Sequence, residues 1–138
     1  MTSYVDTSVL LRQLFGEPQR LAEWSMIKAA YASRLILVEI GRVIDRCRLG
    51  GEIGDADVER LQVEARRLCR SIDILGIDDA ILRRAAGPMP TVVGSLDAIH
   101  LATALELAEA GEPSLIFATH DDQLARACRA SGLVVVGC

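Results

Sequence analysis

The sequence predicts an α/β fold, a three-layer sandwich in which a central, mainly parallel sheet is flanked by helices. Two observations carry that prediction. Short apolar runs alternate with longer segments of helical periodicity, the pattern of strands linked by helical crossovers. In addition, the segment from Leu96 to Ala110 carries apolar residues at 98, 99, 101, 102, 104, 105, 107 and 108. Only His100, Thr103 and Glu106 form a polar stripe, so this helix is expected to be mostly buried. The 138 residues, 51% of them apolar, suit one domain spanning 1–138 with a core of its own.

Ser3-Tyr4-Val5 reads as a first strand ending at Asp6, after which Thr7-Ser8 is expected to cap a helix carrying Val9, Leu10, Leu11, Leu14 and Phe15. Gly16-Glu17-Pro18 breaks that helix, and Leu21, Trp24 and Ile27 mark another. Ala30–Ser33 reads as a short strand. A helix over 35–49 closes at Gly50-Gly51, and one over 55–70 follows. Strands are expected over Ile72–Leu75, Leu115–Ala118 and Val134–Val136, with helices over 78–86, 96–110 and 123–131 between them. No internal repeat or low-complexity linker interrupts the series.

Composition excludes several function classes. With 15 basic and 19 acidic residues the net charge is −4, so a polyanion would need a local basic patch or a metal rather than a global electrostatic clamp. Lys28 is the single lysine beside 14 arginines, and no Gly-Lys pair exists for a phosphate-binding P-loop. Two Phe, two Tyr and one Trp are too few for the stacking platform of a single-strand binder. Cys47, Cys69, Cys128 and Cys138 are far apart, without zinc-ligand spacing. No secretory signal and no apolar run near the ~20 residues of a membrane span is present. The expectation is a soluble cytoplasmic protein with reduced thiols.

In an open parallel sheet, functional groups collect at the carboxyl ends of the strands. Asp6 ends the first strand. Asp121 follows the Leu115–Ala118 strand, and Asp97 lies in the first turn of the buried helix. Asp97 and Asp121 could equally be helix caps, and Asp6 a turn residue. Glu39 is harder to treat as ornament: it follows Leu35-Ile36-Leu37-Val38, and a carboxylate in apolar surroundings is costly to bury unpaired. Arg42 and Arg46 lie three and seven residues after Glu39, on its helical face, where they could grip phosphate or simply pair with Asp45 or Glu52.

Tyr4-Val5-Asp6-Thr7-Ser8, Glu39, Ser95-Leu96-Asp97-Ala98-Ile99-His100-Leu101-Ala102-Thr103-Ala104 and Thr119-His120-Asp121-Asp122-Gln123-Leu124 stand in the order of the PIN-domain ribonucleases. More closely, the chain resembles the VapC toxins of type II toxin–antitoxin pairs. The resemblance spans the whole chain, though residues 50–75 contribute little to it. It implies a PIN-like sandwich and an endoribonuclease in which Asp6, Glu39, Asp97 and Asp121 converge on Mg²⁺, with Mn²⁺ as an alternative ion. Asp6 and Asp97 would be direct ligands; Glu39 and Asp121 would act through water or at a second ion. Thr-x-Asp-x-x-Leu fits Thr119, Asp121 and Leu124, so Asp121 rather than Asp122 takes the family position. The physics requires a cation. Two carboxylates about 5 Å apart repel by roughly 3 kcal/mol at an effective dielectric near 20, and four could not all stay ionised.

Ser8 and Thr119 are possible orienting groups for the carboxylates, or ordinary capping and turn residues. His100 and His120 invite a general-base role, but the resemblance implies metal catalysis with no obligatory histidine. The implied partners are RNA (tRNA or rRNA among the options), a small cognate antitoxin and a second copy in a homodimer, with part of the early helices as a docking groove. Alternatives are a non-toxin PIN nuclease in RNA processing and a catalytically weak PIN binding module. A receiver domain lacks its lysine after a late strand here. An Asp-x-Asp phosphatase is disfavoured because Ser8 stands at the second Asp.

Overall fold

The computed structural model describes all residues, 1–138. Five strands, β1 (Thr2–Val5), β2 (Ala29–Ser33), β3 (Asp73–Leu75), β4 (Ile116–Ala118) and β5 (Val134–Val136), form one sheet of order β3-β2-β1-β4-β5. Every pairing is parallel, so the sheet is wholly rather than mainly parallel. Six helices connect the strands: α1 (Thr7–Phe15), α2 (Leu35–Leu49), α3 (Asp55–Cys69), α4 (Asp79–Ala86), α5 (Ser95–Ala110) and α6 (Asp122–Ala130). From β1 the chain builds outward to β2 and β3, then returns to place β4 on the other side of β1. The order therefore reverses between β1 and β4, and the crevice beyond their carboxyl ends is where such sheets bind ligands.

The two faces of the sheet follow from the alternation of its side chains. Val5, Ala32 and Ala118 turn to one face and pack with Val9 and Leu10 of α1, Ile36, Ile40 and Ile44 of α2, and Leu61 and Ala65 of α3. Tyr4 and Phe117 turn to the other, with Leu101 and Ala104 of α5 and Leu124, Ala127 and Cys128 of α6. Tyr4 and Phe117 stack at a centroid distance of 5.0 Å. Helix α4 is clamped to α5 by Arg84, which donates to Glu106 and to both carboxylate oxygens of Glu109 at 2.7–2.9 Å. Arg84 is thus a cross-helix tie.

Two local expectations are corrected, and the orientation of a third element is fixed. The cap of α1 is Asp6, whose side chain accepts from the Val9 amide; Thr7 and Ser8 are already helical. The Leu21–Ile27 segment is a 3₁₀ turn over Ala22–Met26, in keeping with its apolar spacing of three residues, the period of that helix. The polar stripe of α5 is turned inward: His100 and Thr103 are each 1% exposed, and Thr103 satisfies its hydroxyl on the Ile99 carbonyl. All four cysteines are free thiols, and no helix is long and apolar enough to cross a membrane.

The carboxyl end of β5 closes tightly over β4. Gly137 has φ +99°, and a Cβ there would stand 2.3 Å from the Thr119 carbonyl oxygen. Gly132 also has positive φ (+88°) but open space around it. Gly132→Ala should therefore cost only the backbone penalty, about 1–2 kcal/mol. Gly137→Ala should cost more, because the tail must also move off Thr119; urea denaturation of the two variants gives the ranking.

Candidate active site

The reversal point of the sheet places two polar residues side by side. Asp6 leaves β1 with its amide on the Ala118 carbonyl (3.1 Å), and Thr119 leaves β4 with its amide on the Val136 carbonyl (3.1 Å). Neighbouring strands in register thus bring the two side chains together, and Thr119 Oγ1 donates to Asp6 Oδ2 at 2.8 Å. Ser8 Oγ donates to Asp6 Oδ1 at 2.6 Å and accepts from the His120 amide at 2.8 Å, stitching the first turn of α1 to the β4–α6 loop. Ser8 and Thr119 therefore both orient Asp6. Thr119 Oγ1 also accepts from the Asp121 amide, while Asp121 Oδ1 caps α6 by accepting from Leu124.

Asp6, Glu39, Asp97 and Asp121 arrive from four separate stretches of chain and line one cavity of about 340 Å³. Arg42 and Arg46 line it too. Arg42 is engaged with Asp45 at 2.8 Å on an exposed part of α2, so the pairing weighed against phosphate contact is present. Arg46 forms no ion pair. Val38 and Leu96, 62% and 49% exposed, add apolar surface to the same lining.

The carboxylates are compensated unequally. Asp6 is 4% exposed; burial pushes its carboxyl above the usual range, against the opposing pull of Ser8, His100, Thr119 and the Val9 amide. Asp97 accepts no protein hydrogen bond, and burial followed by the charges of Asp121, Asp6 and Glu39 raises its carboxyl as well. Glu39 goes the other way: burial opposes its ionisation, but the hydrogen bond and charge of His100, with the Thr7 hydroxyl, hold it below the usual range. Thr7 Oγ1 and His100 Nε2 both meet Glu39 Oε2, the latter at 2.8 Å.

Among the polar residues lining the cavity, Thr7 was not singled out from the sequence, and His100 entered there only as a general-base candidate. A signal for His100 existed, since it lies one turn after Asp97 and so shares its helical face. His120 instead sits outside this cavity, with Nδ1 at 2.8 Å from the Gly137 carbonyl.

No three acidic, histidine or cysteine side chains stand close enough around one point to ligate an ion by themselves. The donor set still suits a hard divalent cation. It is all carboxylate oxygen in the cavity wall, and Asp97 is left without a protein donor. Mg²⁺ typically takes one or two carboxylates and completes its shell with water, so it does not need three protein ligands around one point.

Raised carboxyls fix the sign of a pH effect. A carboxyl whose folded pKa lies above its unfolded value contributes stability below the unfolded value, and that contribution is lost as pH rises through the folded one. Asp97→Asn removes this loss and retains the opposite contribution of Glu39. In EDTA at neutral pH, Asp97→Asn should unfold at a higher temperature than wild type. The gap should close as pH falls below about 4, where Asp97 is protonated in both states. Thermal melts across that pH range check it.

A family model described as "PIN domain" matches residues 3–130. Ribonuclease VapC47 of Mycobacterium tuberculosis (strain CDC 1551 / Oshkosh) is 33% identical over 138 residues, covering 95% of this chain and 93% of that protein. Ribonuclease VapC46 of Mycobacterium tuberculosis (strain ATCC 25618 / H37Rv) is 28% identical over 137 residues, covering 96% and 95%. Among solved structures, VapBC2 from Rickettsia felis bound to a promoter DNA fragment superposes with a TM-score of 0.67 at 12% identity, covering 98% of this chain and 97% of that one. A toxin–antitoxin complex from Klebsiella pneumoniae gives 0.66 at 18% identity, covering 98% and 96%. At those identities the structural likeness is one of fold. With the parallel sheet, the acidic cavity at its reversal point and the match over residues 3–130, the chain belongs to the PIN-domain family.

Proposed function

We propose that the protein is a metal-dependent endoribonuclease, the toxin of a toxin–antitoxin pair, which hydrolyses RNA phosphodiester bonds. The observation that carries this reading is the convergence of Asp6, Glu39, Asp97 and Asp121 on a single cavity at the sheet's reversal point. The relatedness to two mycobacterial VapC ribonucleases supports the choice of RNA, and the fold likeness to VapBC assemblies supports a cognate antitoxin.

Asp6 and Asp97 are assigned as the direct ligands of Mg²⁺ or Mn²⁺. Asp97 is unengaged, and Asp6 is fixed by Ser8 and Thr119 so that its remaining lone pairs keep one orientation. Glu39 and Asp121 are each held on one oxygen only, which leaves the other free to bind water in the cavity. A divalent ion at this position supplies a lowered water pKa for the nucleophile and offsets charge developing on the phosphate. Arg46, and Arg42 once it releases Asp45, present planar guanidiniums to phosphate oxygens at the cavity wall. Val38 and Leu96 provide apolar surface beside the acids for an antitoxin segment that covers the site.

Asp6→Asn and Asp97→Asn should each lower RNA cleavage at least about a hundredfold, since charge stabilisation by such an ion is worth several kcal/mol. Undiminished cleavage by either variant would remove it from the ligand set. Mn²⁺ at a hundred times its Kd should add about 2.7 kcal/mol to unfolding of the wild type, read as a rise in melting temperature. Induced expression of the chain should arrest growth, with relief by co-expressed cognate antitoxin, and end-mapping of cellular RNA should show new cleavage sites. Cleavage without growth arrest would instead mark a processing nuclease.

A further inference from the structure

His100 is 1% exposed, at the centre of a hydrogen-bonded chain linking the sheet to the acidic cavity. The direction of each bond in that chain can be fixed from its two ends. The Ser33 amide donates to Tyr4 Oη at 3.1 Å, and Tyr4 Oη also lies 2.8 Å from His100 Nδ1. At the other end the ring meets the Glu39 carboxylate, which can only accept. In the neutral ring Nδ1 therefore presents its lone pair to the Tyr4 hydroxyl, and the ring proton resides on Nε2. That nitrogen lies 2.8 Å from Glu39 Oε2 and donates to it. The Thr7 hydroxyl donates to the same oxygen. Glu39 Oε2 is thereby occupied twice from the protein side, while Oε1 accepts no protein donor and the residue lines the cavity.

We propose that His100 is a positioning residue of the nuclease site: Tyr4 anchors Nδ1 of its Nε2–H tautomer, and the ring locks the Glu39 carboxylate with Oε2 inward and Oε1 toward the cavity. The proposal rests on the reading of Glu39 as part of a cation site. It adds a residue that acts on the cation only through another. The edge-on contact of Tyr4 and His100, 6.0 Å between centroids at 75°, restricts the imidazole to the plane in which both nitrogens meet their partners. An unlocked Glu39 would sample other rotamers among the neighbouring acids, and the cation would lose a fixed water-binding oxygen. Partners that orient the ligands of a metal typically contribute about 10- to 100-fold to affinity or activity.

Three variants and one spectroscopic measurement test this. In ¹⁵N-labelled wild type at about pH 9, where an ordinary imidazole is neutral, two-bond ¹H–¹⁵N correlations should place the His100 proton on Nε2. The His100→Gln spectrum, which lacks those signals, assigns them. A proton on Nδ1, or on both nitrogens, overturns the proposal. Calorimetric titration with Mn²⁺ should show about tenfold weaker binding by His100→Leu. His100→Gln, whose amide can still donate to Glu39, should lie between that variant and wild type. Cleavage by His100→Leu should fall in kcat with the KM for RNA preserved. Tyr4→Phe, which keeps the ring but removes the hydroxyl that anchors Nδ1, should loosen the imidazole and weaken Mn²⁺ binding while the proton stays on Nε2. It also serves if His100→Leu does not fold. Wild-type affinity for Mn²⁺ in a folded His100→Leu or Tyr4→Phe variant overturns the positioning role and leaves the cation site standing. Absence of Mn²⁺ binding by wild type overturns the cation reading itself, and with it the use of Glu39, whatever the tautomer.

Discussion

Mutual repulsion of carboxylates at the carboxyl ends of β1 and β4 is the constraint on which the rest of the molecule turns. A parallel sheet whose order reverses between those strands brings Asp6, Asp97 and Asp121 to one crevice, and α2 adds Glu39 from the side. Each acid meets the problem differently. Asp6 is embedded and hydrogen-bonded on both oxygens, Glu39 and Asp121 on one oxygen each, and Asp97 on none. Burial raises the carboxyl of Asp6, and burial with like charge raises that of Asp97, so in the absence of a cation the cavity is a cost to the fold. The electrostatics of the cavity and folding stability are therefore linked through the same side chains.

The polar residues that surround the acids have structural duties in the same bonds. Asp6 caps α1 through the Val9 amide while pointing into the cavity, and Asp121 does the same for α6 through Leu124. Capping and ligand roles, which competed as explanations when only the sequence was considered, are compatible because a carboxylate offers about four lone-pair sites. Thr119 serves Asp6 and the Asp121 amide at once, and the tight passage of Gly137 over the Thr119 carbonyl holds that residue in place from behind. An acidic chain with a net charge of −4 must also draw a polyanion toward an acidic cavity. Arg42 and Arg46 on the cavity wall supply local positive charge where the whole molecule cannot.

Alternating apolar runs and helical periods were enough to place all five strands and six helices within a residue or two, because burial on both faces imposes those patterns. The turn at Ala22–Met26 was misread because three apolar residues suggest a helix without specifying its pitch. Asp6 was passed over as a cap because one side chain was assigned one task. For His100 the obstacle was of another kind. The ring lies on the polar stripe of α5, and nothing local says that the stripe faces Tyr4 and Glu39, which are 96 and 61 residues away in the chain. Long-range pairing of polar groups depends on strand order and register, which hydrophobic periodicity does not encode.

Anomalous diffraction from a crystal soaked in Mn²⁺ tests the shared-cation account most directly. It predicts a peak within coordination distance of Asp6 and Asp97 carboxylate oxygens, with Glu39 Oε1 and Asp121 reached through ordered water. A cavity that stays empty at saturating Mn²⁺, or an ion bound elsewhere on the surface, would contradict it.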